Sequence, residues 1–320
     1  SFTPGSTARA GLLIRMDEGW HTYWKNPGDS GSGAILEWNL PAGWAASELE
    51  WPFPERIPYP PLMSYAYEDE VLLPFDLEIP ADAVPGSTVR LAALADWLVC
   101  EDVCLFALDS LFLEVPVTAG ADDPSEWSGT FEETEWALPA DAEGWTLDAR
   151  VTPDGQVLGV GVVPPEEWGG SLTGAYFFPA DTFLVDHVEP QPLVSRADTS
   201  WMRLARSPFS DGLPARLAGV LVLAEGEDFG PDARRALAVD AELQEGAIPA
   251  PRVTLADGEA GAGQLSLLAA LGLAALGGLL LNLMPCVFPV LSLKILGFVE
   301  HAGDDRATLR MHGYLFAAGV

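Results

Sequence analysis

The sequence predicts a mainly β protein, two β-sandwich domains followed by a transmembrane α-helical segment. Three observations predict it. Short runs of alternating or β-rich character recur along residues 1–247, punctuated by Gly and Pro. One uncharged apolar run, Leu265–Leu283, is long enough to cross a bilayer core. The charge is also segregated: residues 1–260 hold 44 acids against 13 bases, while 261–320 balance at zero. An acidic soluble part is joined to a nearly neutral apolar tail.

In residues 1–120, strands are expected at Ala8–Met16, Ala34–Asn39, Val71–Ile79, Thr88–Leu98 and Leu105–Val117, with turns at Asn26–Gly31 and Pro41–Gly43. Six tryptophans in the first 100 residues supply core packing. Residues 121–143 shift to Asp and Glu and read as a linker or an acidic helix. A second sandwich follows over 144–247. It starts with a hairpin, Trp145–Val151 and Gln156–Val163, turned by Asp154-Gly155. Further strands are expected at Gly174–Phe178, Thr182–Val188, Ser200–Leu204, Arg216–Leu223 and Ala236–Leu243. Residues 248–264, rich in Pro, Ala and Gly, form a tether.

The apolar run continues through Met284 to Leu293 before Lys294 and presents no polar face to water. Asp257 and Glu259 precede it, and Arg306 and Arg310 follow it. The positive-inside bias therefore places residues 1–260 outside the cytoplasm and the lipid bilayer around the tail. A second apolar run starts at Tyr314 and stops at Val320, so the sequence is expected to be part of a longer membrane protein. Ser1 reads as a mature or cut N-terminus from which an export signal has been removed.

Composition excludes other classes. A net charge of −31, with Lys25 and Lys294 the only lysines, disfavours nucleic-acid binding, which needs clustered bases. His21, His187, His301 and His312 are scattered, and no phosphate loop or zinc-hydrolase motif occurs. Beyond the cysteines considered next, no metal ligand set and no cofactor are expected.

The strongest local signal is Trp97-Leu-Val-Cys100-Glu-Asp-Val-Cys104, a cysteine pair separated by three residues between two strand-like runs. A tight connection brings such Cα atoms within the roughly 4.4–6.8 Å of a disulfide. Three readings stay open on these residues alone. The pair is redox-active, or a structural staple of an extracytoplasmic protein, or a metal site; against the staple, so short a loop gains only about 2 kcal/mol. Glu101 and Asp102 place negative charge beside the thiols, which raises a thiol pKa.

Cys286 lies inside the membrane run, in Asn282-Leu-Met-Pro285-Cys286-Val-Phe-Pro289. A lone membrane cysteine is ordinarily a small apolar residue. Pro285 and Pro289, however, each remove a helical hydrogen bond and open the backbone around the thiol. Irregular backbone at bilayer depth survives only beside protein or a water-filled cavity, where a partner can reach it.

These pieces together resemble the DsbD-type thiol:disulfide interchange proteins, with the suppressor-of-copper-sensitivity (ScsB) branch the most similar. The run Asn282 to Lys294 resembles the first transmembrane helix of that family. Gly19-Trp-His-Thr-Tyr-Trp-Lys-Asn-Pro-Gly28-Asp-Ser-Gly and Trp97-Leu-Val-Cys100 resemble its exported N-terminal region. The resemblance implies immunoglobulin-like sandwiches outside the membrane and a chain that enters an eight-helix membrane domain at residues 265–320. It implies that Cys100 and Cys104 are the exported pair, that Cys104 forms the mixed disulfide, and that Cys286 is the first membrane cysteine. A cap loop shields the pair in the family, and Tyr59, Tyr65 and Tyr67 lie in the corresponding stretch, where ordinary strand packing is the alternative.

The implied activity is protein-disulfide reduction at a bacterial inner membrane, with residues 1–260 in the periplasm. Electrons are expected from cytoplasmic thioredoxin by way of a thioredoxin-like domain or protein. They pass to extracytoplasmic thioredoxin-fold substrates, such as disulfide isomerases, cytochrome c maturation factors or copper-tolerance proteins. The second membrane cysteine and the thioredoxin-like domain do not occur in these 320 residues, which hold only part of the relay. Two alternatives are an anchored, non-enzymatic binding protein with a structural Cys pair, and a copper-binding tolerance protein.

Overall fold

The computed structural model describes residues 2–120, 126–166, 168, 172, 174–223 and 236–251. The N-terminal region contains β1 (Thr7–Arg15), β2 (His21–Gly28), β3 (Ile35–Asn39), β4 (Ala45–Ala46), β5 (Glu55–Tyr59), β6 (Leu62–Glu68), β7 (Glu70–Glu78), β8 (Thr88–Cys100) and β9 (Cys104–Pro116). A three-stranded sheet runs β1-β7-β4, and a larger one runs β3-β8-β2-β6-β5 with β9 paired along the free side of β8. The sheets bury Leu12 and Ile14 of β1 and Leu73 and Leu77 of β7 against Trp24, Tyr65 and Leu91 of the other sheet. This is the burial that period-2 alternation encodes. The β8–β9 hairpin pairs in unbroken register from Thr88↔Pro116 to Cys100↔Cys104.

Helix α1 (Ser128–Ala137) follows, within the stretch expected as a linker or acidic helix. It is docked on the first region: the Ala137 carbonyl accepts from the Phe53 amide at 2.9 Å, and Glu135 joins Glu50 and Asp76 around the Arg9 guanidinium. That cluster raises the pKa of Arg9, chiefly through Glu50, and lowers that of Glu50 through Arg9.

The second region holds β10 (Thr146–Val151), β11 (Val157–Val163), β12 (Ala175–Pro179), β13 (Leu193–Arg196), β14 (Thr199–Ala205), β15 (Arg216–Leu223) and β16 (Ala236–Glu245). Antiparallel ladders β12-β15-β16 and β10-β11-β14-β13 meet where β10 and β16 pair in parallel, and both enclose one core. The two β regions belong to one compact unit ending at Pro251. A shared cluster joins them, with Trp24 and Tyr65 packed against Phe178, Val220 and Ala236.

Most expected strands form, with ends shifted by a few residues. Two expectations are corrected. Asn26–Gly31 is not simply a turn, because β2 runs to Gly28 through a bulge in its pairing with β6. Thr182–Val188 is no strand: it bends so that His187 enters the core, and it makes a single bridge, Val185↔Arg206. Strands β2, β4, β5, β6 and β13 escape the sequence reading. In β2 and β6 both faces are buried, so the alternation that marks a strand is lost.

Among the described residues no helix is long and apolar enough to cross a membrane. The expected transmembrane run, Cys286, Pro285 and Pro289 lie outside the described residues.

Candidate functional site

The end of the β8–β9 hairpin carries the site. Cys100 is the last residue of β8 and Cys104 the first of β9, and the connection is only Glu101-Asp102-Val103. The ladder sets the two cysteines opposite each other with Cα atoms 4.1 Å apart, and they form a disulfide. Their surroundings differ sharply. Cys100 is 2% exposed, packed with Tyr23, Ala66 and Leu98, whereas Cys104 and all three connecting residues are exposed. An incoming thiolate therefore reaches the Cys104 sulfur, and the Cys100 sulfur is the protected leaving group.

Strand β2 forms the wall behind the pair. His21 lies opposite Cys100 and Thr22 opposite Val99. Two residues along, Tyr23 shares the face of His21, and its hydroxyl lies 3.7 Å from the Cys104 sulfur. Burial raises the Tyr23 pKa, against a hydrogen bond from Ser30 that lowers it. The phenol thus stays protonated and able to donate to a thiolate. Burial lowers the pKa of His21 below 6.5, with Glu68 opposing, so the imidazole is neutral at pH 7 and adds no cation beside the thiols.

The Asn26–Gly31 segment holds Tyr23 in place. Gly31, at φ +105°, lies on the Tyr23 ring, where a Cβ would come within 2.3 Å of the ring carbons. Gly28, at φ +81°, leaves room for the Met63 carbonyl, 2.4 Å from where its Cβ would be. The Asn26 side chain accepts from the Gly28 amide and donates to the Pro179 carbonyl at 2.7 Å, tying this wall to the second region. The motif quoted above for its resemblance is thus the support of the cysteine pair. Sequence reasoning named none of its residues as functional, although Tyr23, Gly28 and Gly31 were all inside it.

The three tyrosines expected near a cap go elsewhere, for a reason of strand parity. Cys100, His21 and Glu68 occupy one row and one face, as do Leu98, Tyr23 and Ala66. Tyr65 and Tyr67 alternate with Ala66 and point to the opposite face, into the core. The Tyr67 hydroxyl donates to the Pro52 carbonyl at 2.6 Å. The Tyr65 hydroxyl meets His187 Nδ1 at 2.9 Å and the Tyr176 hydroxyl at 3.0 Å. Tyr59 is 60% exposed at the far end of β5, paired with Leu62. Leu62 is six residues along β6 from Glu68, or about 20 Å from the cysteine row. The structure therefore brings together Cys100, Cys104, Glu101 and Asp102, and it substitutes Tyr23 for the expected tyrosines.

Glu101 and Asp102 are exposed beside Cys104. Two substitutions should shift thiolate formation in the reduced pair in opposite directions. Neutralising both acids (E101Q/D102N) favours the thiolate and raises the alkylation rate at neutral pH about threefold, while Tyr23→Phe removes a donor and lowers it by a similar factor. The pH dependence of iodoacetamide alkylation reads both, with the midpoint moving down for the first variant and up for the second. Midpoints that coincide with the wild type would remove these groups from control of the thiol.

Among the described residues no group of three or more His, Cys, Asp or Glu side chains is placed to hold a metal ion.

Residues 1–116 match the family described as the N-terminal domain of the thiol:disulfide interchange protein DsbD. Among solved structures, the N-terminal periplasmic domain of ScsB from Proteus mirabilis aligns with 76% of this chain and 91% of its own length, at 14% identity and a TM-score of 0.52. That likeness is one of fold. A protein of unknown function from Porphyromonas gingivalis W83 aligns over 75% of this chain and 93% of its own, at 12% identity and a TM-score of 0.21. No curated protein matches the sequence.

Proposed function

Since its residues 1–116 make this chain a DsbD-type protein, we propose that it is a protein-disulfide reductase that works by thiol–disulfide exchange at Cys100 and Cys104. The observation that carries the proposal is the asymmetry of the pair at a hairpin end, with one sulfur offered to solvent and the other protected. A staple that only joined two adjacent strands gains nothing from that asymmetry.

The reaction follows from the geometry. A thiolate of the electron donor attacks the Cys104 sulfur, the Cys100–Cys104 bond breaks, and Cys100 leaves as a thiolate and takes a proton. The donor's second thiol then attacks the donor sulfur of the mixed disulfide and releases Cys104. Two electrons and two protons have entered the pair. In the second half the Cys104 thiolate attacks a substrate disulfide, one substrate sulfur leaves as a thiol, and Cys100 resolves the mixed disulfide. Tyr23 is placed to donate to the Cys104 thiolate whenever it forms. No bound cofactor takes part, because the cysteines carry the electrons themselves.

DsbD family domains act with thioredoxin-like proteins as their kind of partner, and we assign a thioredoxin-like donor and extracytoplasmic thioredoxin-fold substrates here. The acidic region 1–260 is assigned to the periplasmic side and the apolar tail to the inner membrane. Cys286, between Pro285 and Pro289, is assigned to the membrane step that passes electrons from cytoplasmic thioredoxin. Support for this part is the charge segregation and the Pro-Cys-Val-Phe-Pro motif.

The reduction potential of the pair tests the reading. Glutathione titration with alkylation trapping should give a value between roughly −180 and −270 mV, where exchange proteins work. A value below about −300 mV, characteristic of structural bonds, would favour an anchored binding protein instead.

A further inference from the structure

Resting on the exchange reading, we infer that the solvent-facing side of the β8–β9 hairpin is the docking surface for the redox partner, a thioredoxin-like protein whose reactive cysteine sits in an apolar patch with a basic rim. The register defines this surface. Cys104, Phe106, Leu108 and Phe112 of β9 share one face, and rows across the sheet add Leu94 of β8 and Ile35 of β3. All five apolar side chains are exposed, Phe106 at 65% and Leu108 and Phe112 at 57% each. Exposed apolar side chains thus begin two residues from the attackable sulfur and recur as far as Phe112, broken by Asp96 and Ser110. Isolated exposed apolar residues need no explanation, but five on one face beside a reactive sulfur mark an interaction site. Among the described residues β9 pairs with β8 alone, so its outer edge is open as well.

Chemistry commits the occupant. Exchange requires the partner's sulfur to reach bonding distance of the Cys104 sulfur, so the partner's surface around its cysteine must lie against the surface around Cys104. That surface is this face of the hairpin. On that face Glu37, Asp96 and Glu114, with Glu101 and Asp102 at the hairpin tip, outnumber Arg90, which stacks on Phe112 at 4.1 Å, and their field favours a basic rim on the partner. A second copy of the chain, at net charge −31, would bring acid against acid.

The experiment separates docking from chemistry. The full chain, oxidised at Cys100–Cys104, is reacted with reduced thioredoxin as the protein probe and with dithiothreitol as a thiol that needs no docking. The variants are F106D, F112D and the double, with Phe209→Asp in the second region as an exposed apolar control. The double variant is expected to lose roughly tenfold or more in its second-order rate with thioredoxin, as removal of apolar anchors from an interface does. Its dithiothreitol rate and the Phe209→Asp rates should stay at wild type. A double variant that keeps its thioredoxin rate overturns the docking surface and leaves the exchange reading intact. Equal losses with both thiols overturn it too, since the substitutions would then act on the disulfide itself. A wild-type dimer that the double variant converts to monomer in sedimentation would make this face a self-interface. A wild-type pair inert to both thiols would remove the exchange reading on which the inference rests.

Discussion

Cys104→Ser is expected to abolish exchange, while Cys100→Ser leaves a chain that forms a mixed disulfide and cannot release it. Both variants lose the internal disulfide, so a merely structural pair would make them equivalent. The site makes them different. Cys104 is exposed at the start of β9, so in Cys100→Ser a thiol remains where a partner sulfur can reach it. In Cys104→Ser the remaining thiol of the pair belongs to Cys100, 2% exposed behind Tyr23, Ala66 and Leu98. Incubation with a protein disulfide, followed by non-reducing electrophoresis, should trap a covalent complex for Cys100→Ser and none for Cys104→Ser. Equal trapping by the two variants, or trapping only by Cys104→Ser, would reverse the assignment of attacking and resolving sulfurs.

Tyr65→Ala is expected to destabilise the chain by about 3–5 kcal/mol, the cost of emptying a large aromatic site in a core. Tyr65→Phe should cost about 1–3 kcal/mol, because it leaves a buried polar group unpaired. The polar logic is specific. The Thr182 carbonyl only accepts, so His187 Nε2 carries the ring proton and donates at 2.7 Å. In the neutral ring Nδ1 is then an acceptor, with the Tyr65 hydroxyl 2.9 Å away as its partner. Tyr65 also packs edge-on against Phe178 at 4.9 Å, so both losses fall on the joint between the two β regions. Urea unfolding measures the cost, and dithiothreitol reduction of the pair should be unchanged in Tyr65→Phe. A variant that kept full stability and gained reduction rate would mean that Tyr65 covers the cysteines after all, contrary to its place on the opposite face.

How far a property reaches along the chain decides whether the sequence alone displays it. Strands β1 and β8 were legible because alternate residues are the more buried along part of each, and β7 because it is a short apolar run, Val71 to Phe75, bounded by Glu70 and Glu78. Strands β2 and β6 were not, since burial on both faces with Thr22, Asn26 and Ser64 among the buried residues leaves neither a clean alternation nor an apolar run. The bend at Thr182–Val188 was misread because Phe183-Leu184-Val185 has the composition of a strand. Its geometry is set instead by His187 entering the core to meet Tyr65, which is 122 residues away.

The sequence by itself determined that the protein is mainly β and that its acidic part is set apart from an apolar tail. It also placed one cysteine pair at a tight strand connection, and a motif resemblance marked Cys104 as the attacking member. Those properties depend on residue type and short spacing. Only the tertiary structure decided which groups surround the pair. Tyr23 reaches Cys104 because β2 lies beside β8, and Tyr65 and Tyr67 turn away because β6 pairs with β2 in one particular register. The outer edge of β9 stays open because, among the described residues, no strand pairs beyond it and only the Phe2 amide bonds its last residue, at the Pro116 carbonyl. Side-chain direction alternates at every residue, so a single step of register between strands far apart in sequence moves a residue from the site to the core.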